Sequence, residues 1–281
     1  MNLILQGNSA PRHLVEQVAA LARPRAIVAI GEHAYRCEEV TYNDEVKAQI
    51  DLAAWASQLD YAFLEGRRAL GDFGLLAMDM DSTLITIECI DEIADMQGLK
   101  PQVAEITEAA MRGKIEFRES LMRRVALLEG LDASALQRVY NERLQLSPGA
   151  EAMLAAVKAA GLKTLLVSGG FTFFTDRVKE RLGLDHAHSN RLEVVDGKLT
   201  GRIVGDIVDG EEKMRTVQRV CDELGISPKQ AIVMGDGAND LRMMGIAGLS
   251  VAFRAKPIVR EQADVSLNFV GLDGILKLFT R

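Results

Sequence analysis

Apolar residues fall into two kinds of pattern along this chain, and the change comes near residue 71. In the first 70 residues, short apolar stretches at Leu3–Leu5 and Ala26–Ile30 predict strands, with a pairing partner near 37–42. The spacing of apolar positions over Leu14–Leu21, and over a longer stretch from about Glu45 to Arg67, predicts helices. This reads as a small α/β unit, and the turn Gly71-Asp72-Phe73-Gly74 closes it. Beyond the turn, uninterrupted apolar runs recur at Leu75–Met78, Thr164–Val167, Ala231–Met234 and Leu249–Phe253, with helical segments between them. Alternation of that kind predicts a parallel sheet covered by helices on both faces.

Two insertions interrupt the alternation. Residues 88–145 predict helices at Cys89–Met96, Pro101–Met111, Glu116–Leu128 and Ala133–Leu144, with no strand, and a bundle inserted after the first core strand would sit over the carboxyl ends of the sheet. Within 191–208, Asp196-Gly197 between two apolar runs is a strong hairpin signal. The fold class is therefore α/β: a Rossmann-like parallel core spanning 71–281 with a helical cap and a hairpin insertion, preceded by a small α/β domain over 1–70.

Composition narrows the function classes. A chain of 281 residues allows two domains, and a 48% hydrophobic share allows a real core. With 33 basic against 40 acidic side chains and no basic stripe, the footprint of a nucleic-acid binder is missing. No apolar run approaches the roughly 20 residues that span a bilayer. The opening Met1–Gly7 carries no basic leader of the secretory kind, and three widely spaced cysteines (Cys37, Cys89, Cys221) match neither a disulfide framework nor a zinc site. A reducing cytoplasm is the expected setting.

Three polar clusters follow three of the apolar runs. Asp79-Met80-Asp81-Ser82-Thr83 places two carboxylates at a strand end, where open α/β sheets bind ligands. Ser168-Gly169-Gly170-Phe171 offers a hydroxyl and flexible amides that can close on an anion. Gly235-Asp236-Gly237-Ala238-Asn239-Asp240 brings further carboxylates and an amide. Each alone has an ordinary alternative in caps and turns. Together, in this order, they point to a phosphate-handling site, with Asp79, Asp236 and a backbone carbonyl forming the hard oxygen set that Mg²⁺ takes.

Two cations support that reading. Lys213 stands in the first turn of a helix predicted over Glu211–Leu224, where it opposes the macrodipole, so local helix stability does not select it. Arg124 falls on the apolar stripe Phe117, Leu121, Val125 and Leu128, and a guanidinium on an inward face needs an anion. A solvated surface lysine and a structural ion pair are the alternatives for the two. Glu88 joins the paired-aspartate loop to the inserted helices, and Met111 and Phe117 lie in that bundle near Arg124. The four histidines fall in none of these clusters.

The ordered set resembles the haloacid dehalogenase-like phosphohydrolase superfamily and, within it, the phosphoserine phosphatases, over roughly residues 73–280. Asp79–Thr83 is similar to the superfamily's first motif, Ser168 to its second, Lys213 to its third and Gly235–Asp240 to its fourth. The closer likeness rests on Asp79–Glu92, on the Gly-Lys, Phe and Ser-Leu-x-x-Arg pattern between Met111 and Arg124, and on Ser168–Phe171. Residues 1–70 lie outside it and are only weakly similar to small regulatory α/β domains attached to some relatives.

The resemblance implies Asp79 as the nucleophile that forms an aspartyl-phosphate and Asp81 as general acid, then base. It implies Mg²⁺ held by Asp79, the Asp81 carbonyl and Asp236, with Asp240 in support. Ser168, the Gly169 amide and Lys213 would take phosphate oxygens, Glu88 the substrate amine and Arg124 its carboxylate, with Met111, Phe117 and Asn239 completing the substrate set. The activity so implied is Mg²⁺-dependent hydrolysis of O-phospho-L-serine, the last step of serine biosynthesis, under a cap that excludes water. Three alternatives stay open: a phosphotransferase, a phosphatase for another small phosphorylated metabolite, and a non-catalytic phosphoserine sensor, against which the intact Asp79 and Asp81 argue. A homo-oligomer has no support in the sequence and is left open.

Overall fold

The computed structural model describes residues 1–111 and 114–279. The first unit comprises β1 (Asn2–Gln6), α1 (Arg12–Ala20), β2 (Ala26–Gly31), β3 (Ala34–Glu38), α2 (Asp44–Ala56) and β4 (Asp60–Leu64). Its strands run antiparallel in the order β2-β3-β1-β4, and Leu3, Leu5, Val15, Val18, Ile50 and Ala54 bury a core of their own.

One expectation fails here. The helix predicted from about Glu45 to Arg67 stops at Ala56, and Asp60–Leu64 forms β4 on β1, with Leu3 opposite Phe63 and Leu5 opposite Tyr61. The chain reverses at Gln58, which adopts a left-handed φ of 53°. Helical spacing is carried by alanine and leucine up to residue 56, after which Tyr61 and Phe63 alternate in the period that suits a strand. Pairing with β1 then overrides what local spacing suggested.

The core begins with β5 (Leu75–Met78), followed by the cap helices α3 (Cys89–Met96), α4 (Lys100–Met111), α5 (Phe117–Ala126) and α6 (Ser134–Glu142). Then come α7 (Ala150–Ala159), β6 (Lys163–Phe171), α8 (Thr172–Leu182), β7 (His186–Val195), β8 (Lys198–Val204) and α9 (Gly210–Leu224). The chain closes with β9 (Ala231–Gly235), α10 (Leu241–Ile246), β10 (Leu249–Phe253), α11 (Pro257–Gln262), β11 (Val265–Leu267) and a short helical turn. Parallel strands are ordered β11-β10-β9-β5-β6-β7, with β8 antiparallel on the far edge.

Successive residues of β5 explain the apolar runs. Leu75 and Ala77 pack towards α9, α10 and α11, while Leu76 and Met78 pack on the opposite side in the cluster that includes α7, α8 and the cap residues Leu121, Val125, Leu136 and Val139. A strand buried on both faces has no polar alternation to show. Because the chain leaves β5 to one side for β6 and returns on its other side as β9, β5 and β9 form a topological switch point, the usual ligand crevice of such sheets.

Two segments, 84–86 and 145–147, carry the chain into and out of the cap, and they are paired: Thr86 N donates to the Gln145 carbonyl and Ser147 N to that of Leu84, each at 2.9 Å. The first unit joins the core edge to edge through the antiparallel pair Tyr61–Ser266. Buried Asp60 fixes that seam, its carboxylate accepting from the amides of Asn268, Phe269 and Val270 at 2.7–3.0 Å. Among the described residues no helix is long and apolar enough to cross a membrane.

Candidate active site

Three strand ends build the site. Met78 lies opposite Met234 in β9 and Leu166 in β6, so Asp79, Ser168 and Asp236 emerge side by side. The Asp79 amide donates to the Met234 carbonyl at 3.0 Å, which keeps the ladder intact to the first catalytic candidate. The chain then folds into a tight loop over Met80–Leu84, with Ser82 in the left-handed region at a φ of 58°. That reversal lets the Ser82 hydroxyl donate to Glu88 at 2.7 Å and the Thr83 hydroxyl donate to Asp236 at 3.0 Å.

Lys213 is fully buried. Its ammonium lies 2.9 Å from Asp79 Oδ1 and 2.7 Å from Asp240 Oδ1, which removes the surface-lysine alternative. Burial disfavours its charge, yet Asp240 and Asp79 outweigh that, and its pKa lies above the ordinary lysine value. Asp240, also fully buried, turns its other oxygen to the amides of Asp236 and Gly237 at 3.1 and 3.0 Å. A Cβ on Gly235 would collide with that carboxylate, so glycine is required there by close approach.

Carboxylate oxygens of Asp79, Asp236 and Asp240 lie within 4.8 Å of one another. Lost hydration, reinforced by Asp240, raises Asp79 well above the usual carboxylate range, and the same two causes push Asp236 up to about 7. Three crowded carboxylates faced by one lysine are an all-oxygen set short of positive charge, and a hard divalent cation fits it. The Asp81 carboxyl is outside this cluster. Burial, and then Glu88, push it up to about 8, and its buried Oδ1 has no hydrogen-bond partner among the described residues. At neutral pH it keeps a proton it can give away.

A carboxyl raised in this way holds its proton more tightly folded than unfolded. The stability it contributes is complete below the ordinary value of 3.8 and is lost as pH climbs from there to about 8. In metal-free protein, Asp81→Asn, which cannot ionise, is expected to gain heat stability over the parent steadily between about pH 5 and pH 8 and to level off above that. A melting-temperature difference that stays flat across that range would refute the burial of an ionisable Asp81.

The remaining candidates surround this centre. Buried Ser168 accepts from the Gly170 amide at 2.9 Å, leaving its own hydroxyl proton for an incoming oxygen. Phe117, at the start of α5, covers Gly169 so closely that a Cβ there would come 3.0 Å from the ring. Next to it, Arg118 reaches across to Asp209, the residue that caps α9, at 3.4 Å, tying cap to core. Asn239 is half-buried with its side-chain oxygen against Gly237. Met111 ends α4, and its side chain lies outside the described residues.

Arg124 is half-buried, donates to the Ser120 carbonyl at 3.4 Å, and forms no ion pair of contact distance among the described residues. It nevertheless lies close enough to lower the carboxyls of both Glu88 and Asp91. Glu88 as a whole is solvent-exposed, although lost hydration at its carboxyl still dominates and raises it. Sequence reasoning missed Thr83, Asp91 and Lys256. Lys256 also draws Glu88 and Asp91 down, and its amide donates to the Asp236 carbonyl at 3.1 Å. A basic residue directly before the Pro257 helix start is the one signal that could have pointed to it.

Comparison with known proteins agrees with this geometry. Residues 76–245 match the family described as haloacid dehalogenase-like hydrolase. A phosphoserine phosphatase of Polaromonas sp. (strain JS666) is 62% identical over 214 residues, covering 74% of this chain and 91% of the relative. Among solved structures, a haloacid dehalogenase family hydrolase, t0658, of Salmonella enterica serovar Typhi superposes with a TM-score of 0.88 at 33% identity, covering 99% of this chain and 97% of that one. A probable phosphoserine phosphatase from Vibrio cholerae gives 0.82 at 36% identity, covering 99% and 85%. The two structures thus extend over the first unit as well as the core.

Proposed function

Because this chain belongs to the haloacid dehalogenase-like hydrolase family, and is therefore a hydrolase, we propose that it hydrolyses O-phospho-L-serine to L-serine and phosphate. The observation that carries the substrate is Arg124, a half-buried guanidinium that forms no contact ion pair among the described residues yet lies near enough to Glu88 to lower its carboxyl. A cation and an anion held apart at the edge of a phosphate site match a zwitterion attached to a phosphate. Named relatives that act on phosphoserine agree with it.

In this reading Asp79 attacks phosphorus. Its negative charge is kept available by Lys213, which also draws the phosphate oxygens in. Ser168 and the Gly169 amide bind further phosphate oxygens. Protonated Asp81 gives its proton to the serine oxygen as the P–O bond breaks, and the carboxylate so formed removes a proton from the water that releases phosphate from Asp79. Asp79 and Asp236, with Asp240 beside them, would hold Mg²⁺, which when bound supplies positive charge against carboxylate and phosphate repulsion. Phe117 and the cap exclude bulk water. The three cysteines are free and buried, which supports a reducing cytoplasm as the setting, and serine biosynthesis is the pathway such a reaction would complete.

A substrate panel tests the proposal. Arg124→Ala is expected to lower kcat/KM for phosphoserine by about 30- to 150-fold, roughly 2–3 kcal/mol for a lost charged hydrogen bond, and to leave phosphoethanolamine, which has no carboxylate, nearly unchanged. Glu88→Gln should do the reverse, weakening amine-bearing esters and sparing phosphoglycolate. Equal losses for every ester would leave a phosphatase but remove the specificity for phosphoserine.

A further inference from the structure

A cleft of about 790 Å³ lies between the first unit and the core, walled by α2 and β4 on one side and by α11 and the segment after it on the other. Four aromatic rings line it; Tyr61 and Phe63 also pack on the first unit's core and Trp55 on Phe269, and each contributes a ring to the wall. Tyr42 and Phe63 have ring centroids 4.9 Å apart, and Tyr61 continues the wall 6.0 Å from Phe63. Trp55, the one tryptophan of the chain, stands 52% exposed in the same cleft. Over its ring, 4.7 Å from the centroid, lies the guanidinium of Arg260. One aromatic face of the cleft is thus already occupied by a cation.

Charge points the same way. Asp44, Asp51, Asp60, Glu261 and Asp264 line the cleft, against Lys47 and Arg260. Two of the acids are committed elsewhere, Asp60 to the amides of 268–270 and Asp264 to the amide and hydroxyl of Ser250. Asp44, Asp51 and Glu261 remain exposed, with Asp51 accepting from the Tyr61 hydroxyl at 3.2 Å. Lys47 and Arg260 offset two of these three charges, and one acid is left in excess.

We propose that this cleft is a binding site for a small organic cation, a guanidinium or ammonium group on a short apolar stem. The cation would lie against the Tyr42 and Phe63 faces beside Asp44, Asp51 and Glu261, with Arg260 retained on Trp55. Ring faces backed by carboxylates attract positive charge through the ring quadrupole as well as by direct Coulomb attraction, whereas an anion would meet the same carboxylates as repulsion. The site is independent of the phosphate chemistry and would exist whatever ester the enzyme hydrolyses.

With a single tryptophan, intrinsic fluorescence reports on the cleft directly. Titrating the full chain with butylguanidinium is expected to change the emission and saturate, with half-saturation below about 1 mM. Butylurea, its uncharged isostere, should bind at least about tenfold more weakly. Asp51→Asn combined with Glu261→Gln, which keeps Trp55, should weaken the cation by about tenfold, with circular dichroism confirming that the variant is folded. A linear response without saturation, which is collisional quenching, overturns the site. Equal binding of butylurea makes the cleft a mere apolar crevice and overturns it too, on the unmodified protein alone. Undiminished binding by a folded double variant removes the carboxylates from recognition and overturns the proposal as stated.

Discussion

Replacing Asp79 with Asn is expected to lower kcat for phosphoserine by about 10⁴-fold or more while the protein remains folded. The amide keeps the shape of the carboxylate but has no charged oxygen to attack phosphorus. Stability should survive, because Asp79 is a desolvated carboxyl whose ionisation the fold already disfavours, and Lys213 keeps its shorter contact to Asp240. Phosphate release within about tenfold of the parent, roughly 1.4 kcal/mol of barrier, would remove Asp79 from the nucleophile's role.

The second large effect is on stability. Lys213→Met takes the one buried cation from between Asp79 and Asp240 and leaves both carboxylates in the same desolvated place. Breaking a buried pair by removing one partner costs about 3–5 kcal/mol, a large share of the roughly 5–15 kcal/mol that holds a domain folded. Urea unfolding of metal-free protein at neutral pH should show a loss of that size. Lowering the pH should shrink it, because carboxyls deprived of their cation can be neutralised by protons instead. A loss below about 1 kcal/mol at neutral pH would mean that the lysine does not compensate these charges.

The three strand-end clusters that the structure brings together were legible in the sequence because each sits at a fixed place: a polar cluster directly after an apolar run. Asp79, Ser168 and Asp236 needed only the rule that ligands gather at the carboxyl ends of parallel strands. Lys213 stood out from its awkward place in a helix's first turn, which a nearby anion explains better than helix stability does, and its burial against Asp79 and Asp240 removes the surface-lysine alternative. Contacts across long stretches of chain were not legible. Thr83 meets Asp236 at a separation of 153 residues, and Asp240 meets Lys213 at a separation of 27. No local spacing encodes either.

The same physics accounts for the strands that were misread or missed. β5, β6, β9 and β10 announced themselves as apolar runs because both of their faces are buried. The opening of β7, His186-Ala187-His188-Ser189-Asn190, is only partly buried and polar, so its pairing with β6 left no apolar signal. β11 has three residues, too few for a period, and β4 was absorbed into a helix until its pairing with β1 separated it.

The most direct test of the account is to mix the protein with radiolabelled phosphoserine, quench in acid within the first turnover, digest, and locate the label. The account predicts phosphate on the peptide that carries Asp79, lost in mild alkali as an acyl phosphate should be, absent from Asp79→Asn, absent after chelation and restored by Mg²⁺. Release of phosphate from phosphoserine with no label on that peptide, or with label on another residue, would contradict it.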